Sequence, residues 1–166
     1  MRIAIVSDTH LPRGSRRLPD ACVARLRAAD LILHGGDIAT VGVLEELEAL
    51  GPPVRAVVGN VDEPALAARG VPETLTVEAE GVRIAMVHDA GPAKGRLARL
   101  RRRFPDVDAV VFGHSHIPLH EQDGGFQIFN PGSPTDRRRQ PAHTMGLADV
   151  VGRTVTFHLL QLEEKP

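Results

Sequence analysis

Seven side chains in this 166-residue chain could act together on a divalent cation: Asp8, His10, Asp37, Asn60, His88, His114 and His116. They comprise two carboxylates, one amide oxygen and four imidazoles, all competent metal ligands without any thiolate. Such mixed ligation suits Mn, Fe, Co, Ni or Zn better than Ca. Taken singly, each residue has a plainer explanation. A lone histidine usually belongs to the core or the surface, an Asn after a strand usually makes a turn, and an Asp there usually caps the next segment. The coincidence outweighs those explanations. Four of the eight histidines fall just past short apolar runs, alongside both carboxylates. Clustering of this kind has little structural reason, because burying polar groups costs free energy unless something pairs with them.

The elements that must position these residues are legible in outline. Ile3 to Val6 runs into Ser7-Asp8, Leu31 to Leu33 into His34-Gly35-Gly36-Asp37, and Ala56 to Val58 into Gly59-Asn60. Ile84 to Val87 runs into His88, and Ala109 to Phe112 into Gly113-His114. Short continuous runs rich in Val and Ile suit strands buried on both faces. Between them, 19–29, 41–50 and 95–104 carry apolar residues at helical spacing. Strands alternating with helices predict parallel pairing, and ligands in open α/β sheets gather outside the carboxyl ends of strands. The later chain reads differently. Turn signals at Glu80-Gly81, Asp123-Gly124-Gly125 and near Gly152 predict hairpins, hence a second and more antiparallel set of strands. The expected fold class is α/β: a four-layer α/β/β/α sandwich with two mixed β-sheets packed face to face, in one domain over 1–166.

Composition narrows the function classes. The chain is 42% hydrophobic and 25% charged, as in an ordinary globular protein. A net charge of -1 gives no global attraction to nucleic acid or anionic membrane, so no tight nucleic-acid binding and no membrane partner are expected. Tyr and Trp are absent, which leaves little for base stacking. Cys22 stands alone and cannot form an intramolecular disulfide. The opening "MRIAIVSDTH" has too short an apolar run for a signal peptide or a span, and a cytoplasmic location is the expectation. Neither a dinucleotide-binding fingerprint nor a Walker loop is present.

The motifs "SDTH", "GGD", "GN", "VH" and "GHSH", in this order and each after a strand, resemble the calcineurin-like metallophosphoesterases. The resemblance runs from residue 1 to about 160 by motif placement. The short chain, "GN-x-D" in place of "GNH", and the late "FNPGS" look like the small phosphodiesterases of the YfcE type. The resemblance implies one ion on Asp8, His10, Asp37 and His116, and a second on Asp37, Asn60, His88 and His114, with Asp37 shared. It implies manganese first, with Fe, Ni, Co, Zn or Mg as substitutes, and hydrolysis of a small phosphodiester by a hydroxide held between the ions. It also implies self-association, which small members often show. A retromer scaffold subunit uses the same fold for protein binding, so a non-catalytic metal-binding scaffold is the alternative.

Departures from the pattern carry information too. Where many relatives have a histidine after the Asn, this chain has Val61. Without that acid, leaving groups that need no proton are favoured, so activated diesters are the expected substrates. Asp62 is the nearest other acid, although a capping role before Pro64 is at least as well motivated. Asp89 follows His88 and reads as a helix cap, or as a group orienting the site. His34 belongs to the core or supports the site. The run Arg101-Arg102-Arg103 reads as a solvated helix face. Arg137, in the loop after "NPGSPTD", is the candidate contact to a substrate phosphate, with Asn60 beside it.

Overall fold

Period-2 alternation decides the layers. Ile3 and Ile5 face one way along the first strand, Ala4 and Val6 the other, and all four are buried. The computed structural model describes residues 1–162. The elements follow in order as β1 (Arg2–Val6), α1 (Asp20–Arg27), β2 (Leu31–His34), α2 (Val41–Glu48), β3 (Val54–Ala56), α3 (Pro64–Ala68), β4 (Thr74–Ala79), β5 (Val82–Val87), α4 (Arg96–Arg103), β6 (Ala109–Val111), β7 (Leu119–Asp123), β8 (Phe126–Asn130), β9 (His143–Val151) and β10 (Thr154–Leu162).

They build two five-stranded mixed sheets, ordered β10-β9-β1-β2-β3 and β4-β5-β6-β8-β7. Between the sheets lies one apolar core, with Ile3, Ile5 and Leu33 from the first sheet against Ile84, Met86 and Phe129 from the second. Ala4, Val6 and Ile32 turn to the outer face of the first sheet and meet Cys22 and Leu26 of α1 and Leu47 of α2. Val110, Phe112 and Ile128 do the same on the second sheet, against Leu100 of α4. The result is the expected α/β/β/α layering.

The sequence order suggests a parallel half followed by an antiparallel one, and the structure mixes them. The last hairpin returns to the first sheet, where β9 pairs antiparallel with β1 through Ile3↔Ala148 and Ile5↔Gly146. In the second sheet, β6 runs parallel to both β5 and β8. Strand patterning specifies which faces are buried but not which partner takes each edge.

Local signals hold where the chemistry is local. Glu80 and Gly81 both have positive φ, 49° and 82°, as the tight two-residue turn between β4 and β5 requires. Thr40 caps α2, its hydroxyl accepting from the Val43 N–H at 3.4 Å. Two capping expectations are corrected. Glu63, not Asp62, precedes α3, and Asp62 instead accepts from the N–H groups of Ala39 and Gly59, both at 2.6 Å. Asp89 accepts from the Gly91 N–H at 2.7 Å in a local turn, while Gly95 precedes α4. Arg101 also leaves the purely solvated reading, since it pairs with Asp123 at 3.0 Å. Among the described residues, no helix is long and apolar enough to cross a membrane.

Candidate metal centre

The carboxyl ends of β1, β2, β5 and β6, and the loop after β3, open on the same edge, where the two sheets meet. Past its last ladder pair, each chain is drawn across the gap by hydrogen bonds. Asp8 and His10 donate their N–H groups to the carbonyls of Gly36 and Asp37 at 2.9 and 3.0 Å, tying the β1 exit to the β2 exit. Gly113 donates to the His88 carbonyl at 3.0 Å, tying β6 to β5. The sheets are then joined to each other: the His114 N–H donates to both oxygens of Asp8 at 3.1 Å.

All seven predicted side chains converge there. His116 Nε2 lies 3.4 Å from Asp8 Oδ1 and 3.1 Å from His10 Nε2. Asn60 Oδ1 lies 3.2 Å from His88 Nε2 and 2.9 Å from His114 Nδ1. Asp37 stands between these groups, with its Oδ2 3.4 Å from His10 Nε2 and 3.3 Å from His88 Nε2. Its other oxygen is taken by the Val61 N–H at 3.1 Å, which fixes the carboxylate plane and leaves Oδ2 facing both groups. Ligand atoms of Asp8, His10 and His116, and of Asp8, Asp37 and His88, fall close enough together to hold an ion.

The backbone bends to achieve this. Eight non-glycine residues among those described have positive φ, and five are Asp8, His10, Asp37, His114 and His116. Each such residue costs on the order of 1–3 kcal/mol unless its surroundings over-determine it. Concentration of strain at these positions shows that convergence of the side chains is worth more to the fold than local relaxation.

Hydrogen bonding also sets which nitrogen faces inward. His88 Nδ1 donates to the Gly35 carbonyl at 2.8 Å and His116 Nδ1 to the Asp136 carbonyl, so both present an unprotonated Nε2 when neutral. Burial lowers the pKa of His10 and His116, which keeps their lone pairs available. Burial, with the Asp37 charge adding to it, pushes Asp8 up to about 6 against the Ser7 hydrogen bond, the His88 charge and the His114 N–H. Asp37 behaves oppositely. Burial alone would raise it, but the His88 hydrogen bond and charge, the Val61 N–H and His10 bring it down to about 2. An edge rich in buried anionic and lone-pair groups fits divalent cations.

Several supporting residues escaped the sequence reading. Ser133 Oγ donates to the Asp8 carbonyl at 2.8 Å, and Thr135 Oγ1 to the Thr9 carbonyl at 2.6 Å. Asn130 Nδ2 donates to the Gly113 carbonyl at 3.0 Å and to Ser115 Oγ at 3.2 Å. The end of β8 thus holds the β6 exit, and the loop after β8 holds the β1 exit. A dense Asn, Ser, Thr and Asp run in "NPGSPTD" was the available signal. Arg137 stays in its own exposed loop, donating to the Gln140 carbonyl at 2.6 Å. The arginine charges bearing on His10 are those of Arg138, its neighbour, and Arg16, and Arg138 also bears on His116.

His34 supports the centre from inside. Its Nδ1 accepts from the Gly36 N–H at 3.2 Å, so its proton sits on Nε2, facing Thr9 Oγ1 at 3.1 Å. Thr9 Oγ1 in turn donates to the Asp37 carbonyl at 3.4 Å. Burial, reinforced by His88, pushes His34 down to about 3. An unfolded histidine titrates near about 6.5, so below that pH the unfolded chain binds a proton that the native one refuses. The His34 contribution to stability is thus complete above about pH 6.5 and is lost progressively as pH falls toward about 3. Urea midpoints between about pH 8 and about pH 5 should fall less steeply in His34→Gln than in the wild type. Equal slopes would show that His34 does not carry this dependence.

Comparison with known proteins agrees with the geometry. Residues 1–153 match the calcineurin-like phosphoesterase superfamily domain. A probable metallophosphoesterase of Methanothermobacter thermautotrophicus is 34% identical over 139 residues, covering 81% of this chain and 78% of the relative. One from Methanocaldococcus jannaschii is 34% identical over 138 residues, covering 81% and 69%. Among solved structures, vacuolar protein sorting 29 from Cryptosporidium parvum superposes with a TM-score of 0.83 at 23% identity, covering 98% of this chain and 92% of that one, a likeness of fold. With the matched domain spanning nearly the whole chain and the ligand-bearing strand exits at one edge, the protein belongs to the calcineurin-like phosphoesterase superfamily.

Proposed function

We propose that the chain is a phosphodiesterase working with two divalent ions, manganese foremost, on small activated diesters. The observation that carries this reading is the position of Asp37 Oδ2, 3.4 Å from His10 Nε2 and 3.3 Å from His88 Nε2, between two groups of ligand atoms. One ion would take Asp8, His10, Asp37 and His116, the other Asp37, Asn60, His88 and His114. Such a pair supplies Lewis acidity at both ends of an in-line displacement and makes water nucleophilic near neutral pH. The chain's own contribution is orientation: inward-facing Nε2 atoms on His88 and His116, a pinned Asp37, and the Arg138 charge beside His10.

Val61 sets the substrate preference. Val61 is 46% exposed beside Asn60, and its side chain offers no proton to a departing oxygen. Loss of a general acid costs a poor leaving group roughly 10²–10⁴ in rate, and a phenolate far less. On matched diesters with Mn²⁺, the aryl ester should turn over at least about a hundredfold faster than the alkyl ester. Comparable rates would remove Val61 from the argument. A net charge of -1 favours small substrates over long nucleic acid.

The second reading, a metal-binding scaffold without catalysis, draws on the fold likeness to vacuolar protein sorting 29. Metal analysis and hydrolysis of a chromogenic diester separate the two. Metal-dependent turnover supports the enzyme, and a wild type that binds metal yet hydrolyses nothing supports the scaffold.

A further inference from the structure

A cleft of about 490 Å³ opens between α1, α2 and the loop joining β1 to α1. Its floor is apolar, formed by Leu18, Val23, Val43, Leu47 and Leu50. Three of its residues tie it to the metal centre. Leu11 directly follows His10 and bridges to Ala39. Thr40 lies three residues after Asp37 and caps α2. Arg16 reaches Asp136 Oδ2 at 3.4 Å, and the Asp136 carbonyl is the acceptor for His116 Nδ1. Two further lining residues, Arg17 and Glu46, are exposed and have no bonded partner among the described residues.

We propose that this cleft is the subsite for a flat aromatic ring carried on the substrate phosphate, whether an aryl group or a nucleobase. The assignment rests on the phosphodiesterase reading and deepens it. The volume falls within the range of small-molecule sites, which are mostly apolar with a few polar groups that set orientation. Apolar walls reward burial of a ring. The Arg17 guanidinium can lie over a ring face, and Glu46 can accept from a ring-edge N–H. The cleft is not a phosphate site. Of the first three N–H groups of α2, two are already committed, Val41 to Glu63 Oε1 at 2.7 Å and Val43 to Thr40 Oγ1 at 3.4 Å, and the cleft is otherwise lined mostly by apolar side chains. The phosphate therefore stays with the metal ligands, and the ring extends from it past Leu11. Where the ring is an aryl group bonded to the phosphate, this arrangement accounts for how a centre with Val61 in place of an acid would select diesters with stable aromatic leaving groups.

Gly42 lines the same cleft, and a Cβ there would meet only Thr40 Oγ1, at 3.8 Å. Gly42→Phe should fill the cleft without displacing backbone, and Glu46→Trp blocks it from an exposed position one turn on. The test is calorimetric titration of the Mn²⁺-loaded full chain with inorganic phosphate, methylphosphonate, phenylphosphonate and a nucleoside 5′-monophosphate. The wild type should bind phenylphosphonate about tenfold more tightly than methylphosphonate, the advantage that roughly 1.4 kcal/mol of ring burial provides. Both variants should lose that ratio while inorganic phosphate binds as before. A nucleoside monophosphate binding more tightly than phenylphosphonate, with the excess lost in both variants, identifies the ring as a nucleobase. The proposal is overturned if the wild type shows no preference for the ring, or if the preference survives in both variants. A wild type that neither binds inorganic phosphate nor hydrolyses a diester overturns the phosphodiesterase reading itself, and the cleft assignment with it.

Discussion

Asp37→Ala is expected to lower diester hydrolysis by at least roughly a thousandfold and to reduce the bound metal. The expectation follows from geometry rather than from charge alone. Among the described residues, Asp37 Oδ2 is the only carboxylate oxygen placed within 3.4 Å of both His10 and His88. Removing it deprives both proposed ions of a shared anionic ligand at once, and metal stabilisation of a transition state is worth several kcal/mol, each 1.36 kcal/mol being about tenfold. The His88 hydrogen bond and charge and the Val61 N–H bring the group down to about 2 against its burial, so it is ionised at every working pH. Asp37→Asn separates charge from shape, because the amide oxygen can still accept from the Val61 N–H while the negative charge is gone. Metal content by mass spectrometry, kcat on a chromogenic aryl diester, and circular dichroism make the measurement. A folded Asp37→Ala protein with two metals and near wild-type turnover would refute the shared-ligand arrangement.

The second large effect is expected at a residue with no chemistry. Gly113 has an ordinary φ, so its backbone would accept a side chain, but the space would not. A Cβ there would overlap Ser7 Oγ and come within 2.6 Å of Asp8 Oδ2. Ser7 and Asp8 are both fully buried and have nowhere to retreat. Gly113→Ala should therefore cost about 1–3 kcal/mol of stability through overpacking. It should also weaken metal binding by about 10–100-fold, the usual penalty for disturbing groups that orient ligands. Gly42→Ala is the matched control, since its Cβ meets only Thr40 Oγ1 at 3.8 Å. Thermal melts and metal titrations compare the two. Wild-type values for Gly113→Ala would show that close packing is not what holds Asp8.

The sequence was informative wherever a property repeats over a few neighbouring residues. Apolar runs of three or four residues, with Asp, Asn or His within the next few positions, marked the strand exits, and Glu80-Gly81 marked its turn, because each depends only on local backbone preference. Boundaries were less secure. The run Ala56 to Val58 reads as a strand, yet β3 ends at Ala56, and the Val58 N–H goes to the Pro72 carbonyl instead of a β-ladder. The roles of polar residues near the site were harder still. Asp62 looks like a helix cap in the sequence, but its carboxylate holds the loops carrying Asp37 and Asn60 together. Nothing within a few residues of Asp62 signals Ala39, which lies 23 positions earlier.

By itself, then, the sequence determined the kinds of element, the faces that are buried and the chemical types available as ligands, since these follow from side-chain period and donor chemistry. Only the tertiary structure decided that β9 returns to β1, that the loop after β8 clamps Asp8 and His116, and that Asp37 turns Oδ2 between His10 and His88. Those outcomes join residues far apart in the chain, 125 positions in the Ser133 bond to Asp8. The positive φ angles at five of the ligand positions are the local consequence. No local preference selects them, and they exist because bonds from distant segments hold the backbone in place against its own preferred geometry.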